Sequence, residues 1–447
     1  MSKLNLNKFP IMGKNSKMIT NLSSKLFQPL NIIPQNATVT SEKLSKSHRL
    51  MVDMGIIKST SAGTYHLLPL GIRSLEKLRK IVKSEMCALY AQEIKLPFLV
   101  DYNLWKKSGR CDAGFGFFKF NDRHGRDLLL SPTNEEAVAN LIANIPQLSH
   151  NQLPLLIYQI STKFRDEVKP RCGLIKSKEF EMKDLYSFDS SLKAAESTYE
   201  SVSNAYKSIF KTVDVPVIRA VADSGDMKGI YSHEYHVISD IGEDNVMICN
   251  NCSSAYNIDN LEVKTCSNCN SNAFLTVKGI EVGHTFLLGS VYTEALSALF
   301  KGHSNIVLPL AMASYGFGMT RFLAAAVEHL SSEQELMWPK HLAPFNVIII
   351  TPKEGSKEFE IGDKLGRELY LQLNDIPHLS DDVILDERGK YTIGKRLLYA
   401  KRTGYPFIVI VGAKVNDNPP LIEVHDRRNL AVHHMTFEEV ISFLSQM

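Results

Sequence analysis

The sequence predicts an α+β protein in which an antiparallel sheet with flanking helices is followed by a separate α/β domain. Over residues 41–340, runs typical of strands and of helices do not alternate regularly, which favours an antiparallel or mixed sheet over a doubly wound one. Beyond residue 343, strand and helix patterns alternate to the end of the chain. Pro339 and Pro344 lie between these parts, as expected of a domain boundary.

The composition argues against several classes of protein. The chain has 447 residues, 44% apolar and 22% charged, which suits two or three globular domains. No stretch approaches the roughly 20 apolar residues of a membrane-spanning helix, which disfavours a membrane protein. The 51 Lys and Arg residues against 48 Asp and Glu leave a net charge of +3, too small to indicate nucleic-acid binding by itself.

The first 41 residues differ from this average. They contain no Asp or Glu, five lysines and many Ser and Asn residues, and Met18, Leu22, Leu26 and Leu30 recur at near-helical spacing. This composition is typical of a mitochondrial transit peptide, although no arginine occurs before Arg49. We therefore expect residues 1–40 to be an import segment and the mature protein to lie in the mitochondrial matrix; a disordered tail is the alternative.

Hydrophobic spacing predicts the first elements of the larger part. An amphipathic helix over 72–91 precedes a strand at 93–100, which Pro97 either confines to a sheet edge or ends. The segment DLLLSPTNEEAVANLIANI gives a short strand that turns into a helix at Thr133. The apolar run LPLLIYQI (153–160) follows as a buried strand.

Further elements follow in the same irregular order. A strand at 179–189 leads into a helix over about 190–211, and short strands are expected at 215–222 and 233–239. A strand then runs directly into an Ala-rich helix within 314–330.

The C-terminal part, residues 343–447, is predicted as a small α/β domain. Its expected order is strand NVIII, helix 358–373, strand VILD, helix 393–402, strand PFIVIVG and a final helix.

Two common nucleotide-binding signatures are not matched. GKYTIGKR departs from the phosphate-loop pattern because Arg396 occupies the position of the magnesium-binding hydroxyl. No G-x-G-x-x-G follows a predicted strand, which argues against a Rossmann dinucleotide site.

The segment TKFRDEVKP places charged side chains at the end of a buried strand. Arg165 and Glu167 are two residues apart, so they point to the same side of an extended chain. Phe180 follows on the next strand, where its ring could cover a nucleotide base. Taken singly, these residues would more often be a surface ion pair and a core aromatic.

A second segment, SYGFGMTRFLAAAVEHL, supplies another arginine. Gly316 and Gly318 end a strand, and Arg321 lies in the first turn of the helix that follows. Guanidinium groups bind phosphate oxygens through paired hydrogen bonds, and a helix N-terminus favours an anion. Together with the first segment, this arrangement predicts a nucleoside triphosphate site.

These motifs resemble those of the class II aminoacyl-tRNA synthetases. FRDE resembles motif 2, GFGMTR motif 3, and the helix and strand of residues 72–100 motif 1, the dimer-interface element. PTNEE, ADSGDMKGIYSHEY and GIEVGHTF closely resemble prolyl-tRNA synthetases of the bacterial and mitochondrial type. The resemblance implies a class II catalytic domain over 41–340, an anticodon-binding domain over 343–447, proline, ATP and tRNA(Pro) as partners, and a homodimer.

The resemblance also implies roles for the nucleotide-site residues. Arg165 would bind the α-phosphate of ATP, Glu167 would accept from the adenine amino group, and Phe180 would stack on the base. Arg321 would bind the γ-phosphate beside the motif 3 glycines, with Mg²⁺ bridging the phosphates. Charge neutralisation and positioning would supply most of the rate.

The motif 2 loop departs from the family pattern. Lys176 and Lys178 stand where bacterial relatives usually carry arginines. Lysine keeps the positive charge but cannot form the paired hydrogen bonds of arginine. Lys178 is therefore expected in the ATP site with a weaker grip on ATP or on the acceptor end.

The implied proline pocket draws on two further motifs. Thr133 and Glu135 match the family's Thr-x-Glu loop, and a hydroxyl with a carboxylate suits the secondary ammonium of proline. His284 of GIEVGHTF and His233 of SHEY resemble pocket-lining positions, although either could be a structural histidine.

Four cysteines form two C-x-x-C pairs within a short insert at about 245–275. Cys249, Cys252, Cys266 and Cys269 have the spacing of a zinc ribbon, with unpaired thiols as the alternative. Bacterial relatives carry a large editing domain between motifs 2 and 3, and the short segment here predicts that it is absent.

Other interpretations remain open from the sequence. Six basic residues and no acidic one lie between Arg388 and Arg402, which suggests either tRNA phosphate contact or a solvated basic face. A second enzyme hypothesis is another synthetase of the same subclass, such as a threonine enzyme. A non-catalytic relative that binds tRNA or DNA is a third, but it should have lost one of Arg165, Glu167 and Arg321.

Overall fold

The computed structural model describes residues 19–31, 45–111, 116–302 and 306–446. The chain divides into two compact units. The larger unit is Gln28–Ala343, and the smaller unit is Pro344–Met447 together with the N-terminal stretch up to Phe27. Within the described residues, the structure has no helix of the length and hydrophobicity required to cross a bilayer.

The larger unit contains most of the elements. Its helices are α1 (Lys46–Asp53), α2 (Pro69–Ala88), α3 (Tyr102–Ser108), α4 (Glu135–Ala143), α5 (Leu192–Thr212), α6 (Val291–Ala295) and α7 (Met319–Leu330). Its strands are β1 (Ile57–Ser61), β2 (Thr64–Leu67), β3 (Gln92–Glu93), β4 (Leu99–Asp101), β5 (Lys119–Asn121), β6 (Asp127–Leu130), β7 (Leu148–Ser149), β8 (Leu155–Phe164), β9 (Glu179–Asp189), β10 (Val217–Ala222), β11 (Tyr231–Ile238), β12 (Asp244–Cys249), β13 (Ala255–Asn257), β14 (Phe274–Gly289), β15 (Leu299–Lys301), β16 (Val307–Pro309) and β17 (Ala311–Gly318).

A nine-stranded sheet forms the centre of this unit, in the order β11-β10-β13-β12-β14-β17-β9-β8-β3. Its pairings are antiparallel except for β10 with β13 and β3 with β8. The long strand β14 pairs with β12 along its first half and with β11 along its second, so five strands close into a ring. The predicted antiparallel sheet with flanking helices is therefore confirmed.

The helices cover one face of this sheet with apolar side chains. Helix α2 begins with Pro69 at its first position, where a missing backbone N–H costs nothing. Helix α5 begins at a Ser191 cap and buries Tyr199 and Tyr206. Helices α2, α5 and α7 pack on one another, and α5 and α7 lie on β9, β14 and β17.

The predicted single strand over 93–100 is wrong. Its beginning belongs to β3, which pairs with β8 at one edge of the central sheet, whereas its end belongs to β4 in a separate three-stranded sheet with β5 and β6. Pro97 lies between the two strands, because it cannot donate to a ladder.

The smaller unit is a five-stranded sheet with helices. Its elements are β18 (Val347–Ile350), α8 (Phe359–Asn374), β19 (Val383–Asp386), α9 (Ile393–Thr403), β20 (Phe407–Ile410), β21 (Ile422–Asp426), β22 (Ala431–Met435) and α10 (Phe437–Ser445). Strands β19, β18 and β20 are parallel, and β21 and β22 add antiparallel strands at one side. These last two strands were not predicted, although IEVHD shows the apolar–polar alternation of a half-buried strand.

The N-terminal stretch adds to the free side of β19. Leu22 forms a parallel bridge with Leu385, Ser23 N donates to Leu385 O (2.9 Å), and Leu385 N donates to Asn21 O (3.0 Å). Ile19 and Leu22 pack against the core of the smaller unit. The described residues 19–31 therefore contact the folded units, and an import segment over residues 1–40 stays a prediction. Residues 1–18 and 32–44 lie outside the described part of the chain.

The basic run in this unit is partly structural. Arg396 is fully buried and donates to Asp386 O (2.9 Å) and Thr351 O (2.6 Å). Arg388 forms an ion pair with Asp386 (2.6 Å). Lys390 and Lys395 are exposed.

A candidate active site on the central sheet

One cavity of about 850 Å³ opens on the face of the sheet away from α5. In the register of β9, β17 and β14, Asp184, Gly316 and His284 lie opposite one another, so they share one face. Lys183 points the other way and donates to Tyr206 in α5. Because Gly316 has no side chain, it leaves open space between Asp184 and His284.

Two arginines line the same end of this cavity. Arg165 follows β8, and its guanidinium Cζ lies 5.3 Å from the centre of the Phe180 ring. Arg321 is in the first turn of α7, and its Nη1 donates to Glu281 O (3.2 Å). Burial and then the positive charge of Arg321 lower the pKa of Arg165. Two like charges beside one cavity favour an anion there.

A second cavity of about 680 Å³ shares Arg165, Glu281 and Arg321 with the first and also includes Glu167. Glu167 does not continue a strand: its N–H donates to Arg165 O (2.9 Å) in a tight turn, so the expected alternation of an extended chain does not apply. The expectation for Lys178 is not met. Its ammonium pairs with Asp166 (2.6 Å), and it lines neither cavity.

Glu281 contributes a fixed negative charge next to the arginines. Burial acts to raise its pKa, but the hydrogen bond with His284 and the charges of His284 and Arg321 outweigh burial and lower that pKa to about 2. The Glu281 carboxylate therefore stays ionised at neutral pH.

The opposite end of the cavity is anionic. Glu135 is buried at the start of α4, where the helix dipole favours a carboxylate. Its two oxygens accept hydrogen bonds from Thr133 Oγ1 (2.7 Å) and Ser314 Oγ (2.7 Å). The buried Arg110 lies behind it, with Nη1 3.4 Å from Glu135 and 3.1 Å from Glu136.

Asp184 adds a third carboxylate to the cavity wall, beside Glu281 and Glu135. It accepts from Tyr186 Oη (2.8 Å) and Gln159 Nε2 (3.0 Å), and it pairs with the buried ammonium of Lys163 (3.0 Å). Burial lowers the pKa of Lys163, while Asp184 opposes that change. The hydrogen bonds hold Asp184 in one orientation.

Comparison with known proteins places this site in a family. The class II tRNA synthetase core domain (G, H, P, S and T) matches residues 118–330, and the anticodon binding domain matches residues 346–447. The chain is 40% identical over 432 residues to the "Probable proline--tRNA ligase, mitochondrial" of Homo sapiens, covering 95% of this chain and 90% of that protein. It is 36% identical over 419 residues to the proline–tRNA ligase of Sulfurimonas denitrificans, covering 89% of this chain and 94% of that protein.

This chain belongs to the proline–tRNA ligase family. The solved prolyl-tRNA synthetase of Giardia lamblia, in complex with prolyl-adenylate, has the same fold with a TM-score of 0.74 at 19% identity, over 89% of this chain and 75% of that one. Its relatives also include the "Probable proline--tRNA ligase, mitochondrial" of Mus musculus, 41% identical over 97% of this chain and 92% of that protein.

In this member of the proline–tRNA ligase family, the two predicted histidines lie on opposite faces of the sheet. His284 lines the cavity, forms a hydrogen bond with Ser232 Oγ (3.0 Å) and stacks on the ring of Phe286. His233 pairs with Thr285, the residue next to His284, so its side chain points to the opposite face of the sheet from His284. There it faces α5 and contacts Tyr199 Oη (2.9 Å). Burial, followed by Arg219, lowers the pKa of His233 to about 4. The prediction of His233 in the pocket is wrong because strand neighbours alternate between faces.

The four cysteines of the predicted zinc site lie close together in the short insert at about 245–275. Their sulfurs all lie within 4.8 Å of one another, at the far end of β12 and β14 from the cavity. They line neither cavity.

Several cavity residues of this proline–tRNA ligase relative were not singled out from the sequence. Asp184, Glu281 and Ser314 line the cavity, Arg110 lies behind Glu135, and the four come from separate segments that meet only in the folded protein. The available signal was local, since Asp184, Glu281 and Ser314 lie inside segments that the sequence already marked.

Proposed function

We propose that the chain is a mitochondrial proline–tRNA ligase that activates proline with ATP to prolyl-adenylate and transfers the prolyl group to tRNA(Pro). The observation that carries the proposal is one cavity with two arginines at one end and a hydroxyl–carboxylate pair at the other. The arginines at the first end can bind the phosphates of a nucleoside triphosphate, and the hydroxyl and carboxylate at the second can bind the protonated amine of an amino acid.

The arginine end suits ATP. Arg165 binds the α-phosphate, Arg321 binds the γ-phosphate, and Phe180 together with Glu167 holds the adenine. Gly316 and Gly318 have no side chains, so they leave space in the cavity for the nucleotide. The side chains form no acid–base pair for the reaction, because the proline carboxylate is already a nucleophile at neutral pH and pyrophosphate leaves as an anion.

The carboxylates near the arginines fit a divalent cation. Ligand atoms of Glu234, Glu281 and His284 lie within 4.8 Å of one another, and carboxylate oxygens are the ligands that Mg²⁺ prefers. Glu281 and Glu234 would hold the ion, which would neutralise phosphate charge during adenylate formation.

The opposite end suits the amine of proline. A secondary ammonium has two N–H donors, and Thr133 Oγ1 and Glu135 supply two acceptors. Glu135 is already fixed by Ser314 and Arg110, so the carboxylate need not reorganise when proline binds. The proline carboxylate then points along the cavity towards the arginine end.

The remaining parts of the proposal concern partners and location. We infer a homodimer through the region of α2 and β3. We further infer tRNA contact through exposed cations such as Lys390 and Lys395, and mitochondrial import directed by the N-terminal segment of residues 1–40. The short segment between motifs 2 and 3 provides no editing module in this chain, so alanine attached to tRNA(Pro) would be cleared elsewhere or tolerated.

Amino-acid-dependent ATP–pyrophosphate exchange, with each amino acid in turn, tests the function. We expect exchange to depend on proline, with alanine as a weak substitute. Exchange stimulated by threonine or histidine but not by proline would assign a different synthetase. Exchange with none of them, by a folded protein, would favour a non-catalytic relative.

A further inference from the structure

Two distant cysteine pairs meet at one point in the segment that we call the cysteine knuckle (residues 249–274). Sγ of Cys249 lies 3.5 Å from that of Cys269, and Sγ of Cys252 lies 3.5 Å from that of Cys266. Four sulfurs around one zinc ion, each about 2.3 Å from the metal, would be about 3.8 Å apart. All four cysteines are free thiols rather than disulfides.

The two pairs have the same backbone conformation. After the first pair, Ser253 N donates to Cys249 O (2.9 Å), and Ser253 has a positive φ of 60°. After the second pair, Asn270 N donates to Cys266 O (2.8 Å), and Asn270 has a positive φ of 58°. A left-handed residue directly after each C-x-x-C turns the chain so that both cysteines of a pair face the same point.

Backbone N–H groups point at the sulfurs. The N–H of Ser254 donates to Cys252, that of Cys269 donates to Cys266, and that of Ser271 donates to Cys269. These hydrogen bonds hold the sulfurs in fixed positions, as the outer hydrogen-bond partners of metal-binding side chains do.

The knuckle has little else to hold it together. Residues 258–273 contain no helix or strand. Between residues 250 and 274, only Ala255, Tyr256, Asn257 and Cys266 are buried. Beyond β13, which pairs in the central sheet, the knuckle has only a small apolar cluster around its cysteines, and small clusters of this kind are usually reinforced by a metal or disulfides.

We propose that the cysteine knuckle binds one Zn²⁺ through Cys249, Cys252, Cys266 and Cys269. A four-sulfur site is closed, with no position for water or substrate, so the ion is structural. Its position next to β12 and β14 indicates which strands the ion would stabilise. Strand β12 enters the knuckle and β14 leaves it, and their other parts reach the second cavity, where they carry Asp244 and Glu281.

Metal analysis of the purified full chain, prepared with added zinc and with any affinity tag removed, tests the proposal. We expect one zinc per chain in the natural protein and in a Cys87→Ser control, whose cysteine is exposed and outside the knuckle. Cys266→Ser and Cys269→Ser should lose the zinc. Replacement by Co²⁺ should give the absorption of tetrahedral thiolate coordination in the natural protein and in the Cys87→Ser control, but not in Cys266→Ser or Cys269→Ser.

A second measurement covers the case in which the cysteine variants fail to fold. Lys264 is exposed within the knuckle, so trypsin can report on this segment in the natural protein. We expect a strong chelator to accelerate cleavage after Lys264 and added Zn²⁺ to reverse the effect. The proposal is overturned if the folded protein contains no zinc, if two disulfides join the four cysteines, or if another metal occupies the site after preparation with zinc.

Discussion

The two ends of the cavity differ both in charge and in construction. At one end, Arg165 and Arg321 place two positive charges beside the same space, and burial with mutual repulsion lowers the pKa of Arg165. At the other end, Glu135 is negative, but the chain itself supplies its partners in Thr133, Ser314 and Arg110. The first end holds two positive charges with Glu281 as a nearby carboxylate, whereas the carboxylate at the second end is held by several hydrogen-bond donors of the chain.

This difference indicates how each end should respond to substitution. Removing a guanidinium takes away charge that acts on the reacting phosphates, so it should affect the chemical step. Removing a group at the carboxylate end should mainly weaken the binding of one substrate. The following predictions test that distinction.

Arg165→Ala should have the largest effect. We expect proline-dependent ATP–pyrophosphate exchange to fall by at least about 10²–10³-fold, because a charge that stabilises the transition state is lost. Arg165→Lys should recover only part of the rate, since lysine cannot bind two phosphate oxygens at once. Arg367→Ala is the matched control, because Arg367 pairs with Asp363 in α8 of the smaller unit. Equal activity in Arg165→Ala and Arg367→Ala would remove Arg165 from the reaction.

Glu135→Gln should act on one substrate. The side chain keeps its size but loses the charge that faces the proline ammonium, so we expect KM for proline to rise by about 10²-fold. KM for ATP should change by less than about threefold. Steady-state exchange kinetics measure both constants, and Glu333→Gln, an exposed carboxylate, serves as the control. A rise in KM for ATP alone would place the two substrates the other way round.

Arg110→Met should shift a pH profile. Burial raises the pKa of Glu136, and Arg110 opposes that rise, so removing Arg110 lets Glu136 hold a proton at higher pH. Because Glu136 and Glu135 share Arg110, the pH at which kcat/KM for proline rises should move upward by about one to three units.

Arg110→Lys provides the control for that shift. It keeps the positive charge, so its pH midpoint should lie close to that of the natural protein even if its stability falls. If Arg110→Met lowers activity without moving the midpoint, Arg110 has only a structural role.

The two histidines should give the smallest effects and test the faces of the sheet. His233→Asn should change KM for proline by less than about threefold, because the side chain faces α5. His284→Asn should raise it by about tenfold, because His284 lines the cavity and contacts Ser232. Exchange kinetics at saturating ATP separate the two, and the reverse order would contradict the assignment of faces.

The sequence predicted helices and strands well where a local pattern, such as hydrophobic spacing or a glycine-rich turn, determines the element. The amphipathic spacing of residues 72–91 corresponds to α2, and the glycine-rich strand end before Arg321 corresponds to β17 and α7. The strand at 93–100 could not be divided from the sequence, because its two halves find partners in different sheets. The antiparallel strands β21 and β22 were missed because the regular β/α order before them suggested that a helix came next.

The site was predictable only where a motif names the residue. Arg165, Glu167, Phe180, Arg321, Thr133 and Glu135 came from short segments, and the structure places them around two connected cavities. The assignment of His233 failed because a register difference of one residue moves a side chain to the other face. Arg110 could not be predicted, since its contact with Glu135 arises only when α3 packs against α4.

The most direct test is a crystal structure with a non-hydrolysable prolyl-adenylate analogue, in which a sulfamoyl group replaces the α-phosphate. The two-ended cavity predicts the proline nitrogen within hydrogen-bond distance of Thr133 and Glu135, the sulfamoyl oxygens at Arg165, and the adenine against Phe180. An analogue bound with its amine at the arginine end, or bound outside this cavity, would contradict the account.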